Sequence, residues 1–176
     1  MADYDYADYI SRLFEIESGG SWNPSATGSN KGAGQFGPKE EAEFGINDHN
    51  RTDPDTQIAA VRKEMARNQG PLTQALGQDP TPAQHYMAHQ QGQSGAIALY
   101  KKPDSRAWQA IRPYYDNDKE AMSAIQRNLP PSLKGSDVNT LSSSAFTGAW
   151  LNRYATIQPE RSLVDTVKSS PVTAAT

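Results

Sequence analysis

The chain has no cysteine. Disulfides, thiolate nucleophiles and Cys-based metal sites are therefore excluded, while every redox compartment stays open. Apolar residues are scarce too: at 36 % of 176 residues they fall below the usual share. A modest core is expected, with part of the chain extended or docked on a partner. Basic residues are not in excess, 17 Lys and Arg against 20 Asp and Glu, for a net charge of -3. Phosphate binding needs clustered Lys and Arg, so nucleic acid is not the expected ligand. Pairs such as Lys101-Lys102 read as solvated surface. No apolar run is long enough to span a bilayer, and membrane insertion is not expected. The N-terminus, "MADYDYADYISRLF", is acidic and does not read as a secretory signal. No cofactor pattern stands out; "GSNKGAG" lacks the Gly-Lys-Ser/Thr ending of a phosphate loop. His85 and His89 are four apart, as two ligands on one helix face would be, but no Glu follows His85 as the HExxH pattern requires. No metal is expected.

What is present is helical signal. Tyr6, Ile10, Leu13 and Glu17 recur at helical spacing, and Gly19-Gly20 stops the run. Pro38, followed by Glu40 and Glu41 and closed by Gly45, reads as a short helix. "TDPDTQIAAVRKEMARN" has a cap candidate in Asp53 and an apolar face of Ile58, Val61 and Met65. "DPTPAQHYMAHQQG" repeats that logic with Thr81 and Pro82, and three short helical segments follow up to Leu129. Trp108 reads as core beside Ile111. No convincing strand is found, although a small β element fits the loop over 21–37. The expected fold is all-α. The expected division is a folded domain over 1–129 and a linker with an extended tail over 130–176. In that tail "PPSLKGSDVNTLSSS" is rich in Pro, Ser and Gly, and "AFTGAWLNRYATI" is an aromatic island for docking on the domain or on a partner. The end, "VKSSPVTAAT", reads as disordered in isolation.

One carboxylate is out of place in this pattern. Glu17 follows Phe14 by three and Leu13 by four, and so shares their apolar face. Burial there disfavours the charged form, as does the negative end of the helix, and a carboxyl that stays protonated is what a general acid needs. The competing reading is a solvated residue at a frayed helix end; spacing alone leaves the two even.

The surroundings of Glu17 carry more. "IESGGSWNPSATGSNKGAGQFGP" supplies Glu17-Ser18-Gly19, Asn23-Pro24, Gly28, Gly32-Ala33-Gly34, Gln35 and Pro38 in order. This resembles the signature of the lysozyme-like lytic transglycosylases, the SLT domain family. A second family element, Ala-Tyr-Asn-x-Gly along the sugar groove, is met by "MAHQQGQSGAI", with His89 where Tyr is usual and Gln90 where Asn is usual. Both replacements keep a planar polar group. The spacing before Gln35 is compressed to Gly-Ala-Gly-Gln. The resemblance covers roughly residues 5–100.

The resemblance implies a lysozyme-like fold that cleaves the β-1,4 bond between N-acetylmuramic acid and N-acetylglucosamine in peptidoglycan. Glu17 would act first as acid and then as base, without a second carboxylate, giving a 1,6-anhydromuramoyl product; substrate assistance is a known exception to the two-carboxylate rule. Ser18, Gln35, Phe36, Tyr86, His89 and Gln90 are the expected substrate-binding residues. For three of them a bland reading stands alongside: a helix-end bond for Ser18, core for Phe36 and Tyr86. Trp22 is placed to shield the site or touch sugar. A hydrolytic muramidase on the same fold is the alternative enzyme, with Glu40, Glu41 or Glu43 as candidate second carboxylates, although the helix dipole explains those three as well. An alternative from another class is a structural component of a virion or secretion apparatus, attached through 130–176. Peptidoglycan lies outside the cytoplasm, so the expected location is a phage particle acting on the wall, or else the cytoplasm until release or export by an unusual route.

Overall fold

A computed structural model describes residues 5–24 and 29–174. Gly28, part of the matched loop, lies outside the described residues, as do Ala175 and Thr176 of the tail. The chain is 66 % helix with no sheet among the described residues, which makes the fold all-α. In chain order the helices are α1 (Tyr6–Ser18), α2 (Pro38–Phe44), α3 (Pro54–Leu76), α4 (Pro82–Gln91), α5 (Gln93–Lys101), α6 (Ala107–Ile111), α7 (Asp118–Arg127), α8 (Ser143–Thr156), α9 (Arg161–Ser169) and α10 (Pro171–Ala174). Where a small β element is expected over 21–37, the described residues include an isolated bridge of Lys31 with Phe36.

Two compact units divide these helices. The first comprises residues 1–67 and 157–176, the second residues 68–156. This differs from the expected division at 129/130. The tail is not extended: it forms α8, α9 and α10. Its aromatic island lies inside the second unit, where Phe146, Trp150 and Tyr154 are buried, while α9 packs on α1 in the first. The physical reason is amphipathicity over a short span. Leu163 and Val167 are one turn apart and both buried, while most of the rest of α9 is polar.

In the first unit, α1 begins where the Asp5 carboxylate accepts the Asp8 backbone N–H at 3.0 Å. Ile10, Leu13 and Phe14 are completely buried, each such side chain contributing about 1.5–3 kcal/mol. Gly19 ends the helix in the left-handed conformation (φ 61°), with its N–H on the Glu15 carbonyl and that of Gly20 on Phe14. Arg12 donates to the Ile157 carbonyl at 2.7 Å, and Ser170 donates to Asp55 at 2.6 Å. The last residues are thereby tied to α1 and α3.

Helix α3 runs further than the sequence suggests, passing through Gly70-Pro71 to Leu76. A proline in a helix gives up one hydrogen bond. Leu72, completely buried just beyond it, supplies the packing that carries the helix on. In the second unit α4 has the capping box that Thr81 and Gln84 foreshadow. Its middle is enclosed on all sides, with His85, Tyr86, Met87 and Ala88 all buried. Trp108 and Ile111 of α6 are buried as expected.

Candidate active site

Glu17 occupies the last turn of α1, on the face of Leu13 and Phe14. Those two are fully buried, but Glu17 itself is only half-buried. It therefore stands between the buried and the solvated readings, because the helix ends within two residues. Ser18 next to it donates to the Phe14 carbonyl at 2.9 Å. That is the helix-end bond of the bland reading, one turn back along the helix. Trp22 is half-buried and meets Phe14 edge-on, with ring centroids 5.3 Å apart.

The glycine-rich loop closes into a tight turn. Lys31 N–H reaches the Phe36 carbonyl at 3.1 Å, and Gln35 N–H reaches Gly32 at 3.1 Å. Gln35 adopts a left-handed backbone (φ 48°). It is buried, and its amide donates back to the Gly32 carbonyl at 2.8 Å. This accounts for the compressed spacing: three small residues leave room for a turn that the Gln35 side chain itself closes. The turn is anchored from α3. Gln57, completely buried, accepts the Gly34 N–H at 3.0 Å and donates to the Arg51 carbonyl at 2.9 Å. Only glycine fits at 32, where a Cβ would lie 2.8 Å from the Gln57 amide nitrogen. Phe36 is buried edge-on against Phe44, centroids 5.4 Å apart. It is core, and the expectation that it stacks on sugar is corrected.

The candidate second carboxylates are occupied in different ways. Glu41 is buried and holds Arg51 in a two-pronged pair, 2.5 and 2.9 Å. Arg51 also pairs with Asp48. These carboxylates hold the guanidinium above its usual pKa, and Arg51 in turn lowers the Asp48 carboxyl. Glu43 pairs with Arg67 at 2.7 Å. Glu40 leans back over Gly37, where a Cβ would come 3.0 Å from its carboxylate; that is the helix start, as the dipole argument has it.

In the second unit Tyr86 is buried, stacked on Tyr154 (centroids 5.6 Å apart) and tilted against Trp150 (6.0 Å). Like Phe36 it is core, and the sugar-stacking expectation is corrected. His89 also stacks on Tyr86, at 6.3 Å, and stays half-exposed, as does Gln90. His85 is buried, its Nε2 2.9 Å from the Gln69 side-chain oxygen. Among the described residues no group of three or more His, Asp or Glu is placed to hold a metal. No helix among them is long and apolar enough to cross a membrane.

The sequence reading missed Gln57 and Glu64, both buried on α3. Glu64 lies 3.5 Å from Arg67. The signal was available: Gln57, Val61, Glu64 and Asn68 follow one another at helical spacing on a face that also carries apolar residues. No family model matches the chain, and no curated protein or solved structure matches it either.

Proposed function

We propose that this chain is a peptidoglycan lytic transglycosylase of lysozyme-like fold, with Glu17 as its general acid and base. The observation that carries the reading is the placement of Glu17. It stands on the last turn of α1 above a fully buried Leu13 and Phe14, where Gly19 and Gly20 end the helix. The ordered motif from Glu17 to Pro38 supports it. So does the pinning of the Gly32–Phe36 turn by Gln57, since a loop held in one shape is what positioning a bulky glycan requires.

In this mechanism the Glu17 carboxyl donates its proton to the glycosidic oxygen. The resulting carboxylate then takes the proton from the 6-hydroxyl of the muramic acid, which closes the 1,6-anhydro ring. The substrate's own groups replace the second carboxylate. The occupation of Glu41 and Glu43 by arginines favours this over a muramidase that relies on either as its partner. Of the groove residues named by the resemblance, His89 and Gln90 keep the exposure that glycan contact requires.

The same proposal includes delivery by a phage particle, which brings a wall-cleaving chain to peptidoglycan. The reading as a pure docking module loses one support, because the tail aromatics Phe146, Trp150 and Tyr154 are buried within the chain.

Mass spectrometry of peptidoglycan digested by the wild type and by Glu17→Gln tests the reading. Anhydro-muramoyl ends from the wild type and none from the variant are expected. Reducing ends would select the muramidase, and the absence of any product would reject enzymatic cleavage.

A further inference from the structure

Beyond Glu17, the end of α1 borders a cavity of about 380 Å³, within the size range of small-molecule sites. One wall is Gly19, Gly20 and Trp22; the other is Ser162, Leu163 and Thr166 of α9. The two walls are some 140 residues apart in sequence, and α9 lies well outside the stretch that resembles the transglycosylases. They are held together closely. A Cβ on Gly20 would come within 3.2 Å of both Leu163 and the Glu15 carboxylate, and that carboxylate accepts the Glu160 backbone N–H at 3.4 Å. Trp22 links the cavity to the catalytic helix through its edge-on contact with Phe14, which shares the face of Glu17.

The lining defines a ligand chemistry. Trp22 and Leu163 offer an apolar surface, and half-exposed Trp is suited to the C–H face of a ring. Ser162 and Thr166, four apart on α9, bring hydroxyls to one side; that of Thr166 donates to the Ser162 carbonyl at 2.9 Å and so faces a ligand as an acceptor. The Glu160 carboxylate also lines the cavity and can only accept hydrogen bonds when ionised. None of the lining residues is a cation, so an anionic ligand would meet only repulsion there. A neutral ring with O–H and N–H donors along its rim and an apolar face matches all of these features.

We propose that this cavity is a subsite for one N-acetylhexosamine ring of a glycan strand, with α9 as one wall. The assignment rests on the wall-glycan reading above. The C-terminal segment thereby supplies part of the binding surface next to the catalytic helix.

The test is titration of the full chain with a soluble β-1,4-linked N-acetylglucosamine oligomer, followed by tryptophan fluorescence and calorimetry. Trp108 and Trp150 are only 8 % and 6 % exposed, so a saturable fluorescence change should come from Trp22 and vanish in Trp22→Phe. Ser162→Trp fills the cavity from an exposed helical position. It should weaken binding by about tenfold or more at an unchanged melting temperature. Thr166→Arg, one turn on, fills it independently should the first variant fold poorly. Glu17→Gln should bind as the wild type does while failing to cleave. If the wild type cleaves peptidoglycan and both filling variants bind and cleave as it does, the subsite is wrong and the enzyme assignment stands. If the wild type binds the oligomer, loses it on filling, and yet cleaves nothing, the subsite stands and the catalytic reading falls. Absence of both binding and cleavage overturns the two together.

Discussion

Around Gly32–Phe36 the polar groups serve the chain itself. The Gln35 amide returns to Gly32, and Gly34 N–H is held by Gln57. Along α4 the burial is made by rings instead, with Tyr86 against Tyr154 and Trp150, and beyond the Thr81–Gln84 cap polar side chains emerge again at the last turn, among them His89 and Gln90. Both stretches carry the resemblance to the transglycosylases. The first closes a turn by internal hydrogen bonds; the second builds a helix packed in its middle and polar at its ends. A motif residue is therefore a candidate for substrate contact only where the local packing leaves it outside. By that standard Gln35, Phe36 and Tyr86 leave the candidate set, while Glu17, His89 and Gln90 remain.

The largest effect should come from the one residue that this comparison leaves as an acid. Glu17→Gln keeps the volume of the side chain and removes only its titration. Turnover of purified peptidoglycan should fall at least about a hundredfold, the lower range for loss of general acid–base catalysis. The circular-dichroism spectrum and melting temperature should not move. Activity retained in that variant would return Glu17 to the role of a half-solvated helix end.

The contrast within α4 is next. Tyr86→Ala empties a completely enclosed ring position and should destabilise the chain by about 3–5 kcal/mol. His89→Ala, one turn on and half-exposed, should stay within about 0.5 kcal/mol of the wild type. Urea unfolding measures both. The activity readout should invert the order of importance, with His89→Ala raising KM for glycan while leaving the fold intact. Equal losses of stability in the two variants would remove the distinction between packed ring and exposed lining.

The wall around Gly32 breaks more gently. Gln57→Met keeps length and volume but removes both partners, leaving Gly34 N–H and the Arg51 carbonyl unsatisfied. Each orphaned group costs about 1–3 kcal/mol. A loss in that range by urea unfolding, together with faster hydrogen exchange at Gly34, is the expected outcome. An unchanged exchange rate would mean that the turn closes without α3.

How far the sequence reveals these arrangements depends on the length scale of the interaction. Asp53, Thr81 and Gly19 act within a turn of helix, and their roles are readable from residue type and spacing alone. So is the all-α class, which follows from repeated short apolar periods. Gln57 acts on Gly34 across 23 positions, and α9 lies on α1 across more than a hundred. No local pattern announces such pairs. The tail reads as linker because its polar residues outnumber the few apolar ones that decide its packing, Leu163 and Val167 in α9 and Phe146 and Trp150 in α8. The same limit explains the misplaced aromatics. Whether a ring stacks on a ligand or on Trp150 is a question of neighbours, and the residue type is identical in both cases. The half-burial of Glu17 is a further instance: spacing gives its face correctly, while the position of the helix end decides how much of that face is covered.

The smallest effect is local, and it isolates a cap from any tertiary wall. The Asp53 carboxylate accepts from the Thr56 hydroxyl at 2.6 Å and from the Thr56 backbone N–H at 2.8 Å, and these bonds lower its pKa. A carboxyl depressed in the folded state contributes stability that is complete above its ordinary value. That contribution is lost as pH falls through the lowered value. Asp53→Ala should therefore cost about 1 kcal/mol at neutral pH, the usual worth of such a cap. Because the side chain is exposed, part of even that is open to screening by salt. The wild type and the variant should converge in stability on acidification below the carboxylate range. Urea unfolding of both proteins at neutral and acid pH measures this. A gap that persists undiminished in acid would show that Asp53 holds α3 through something other than its charge, and the start of that helix would then depend on the same Gln57 network as the wall.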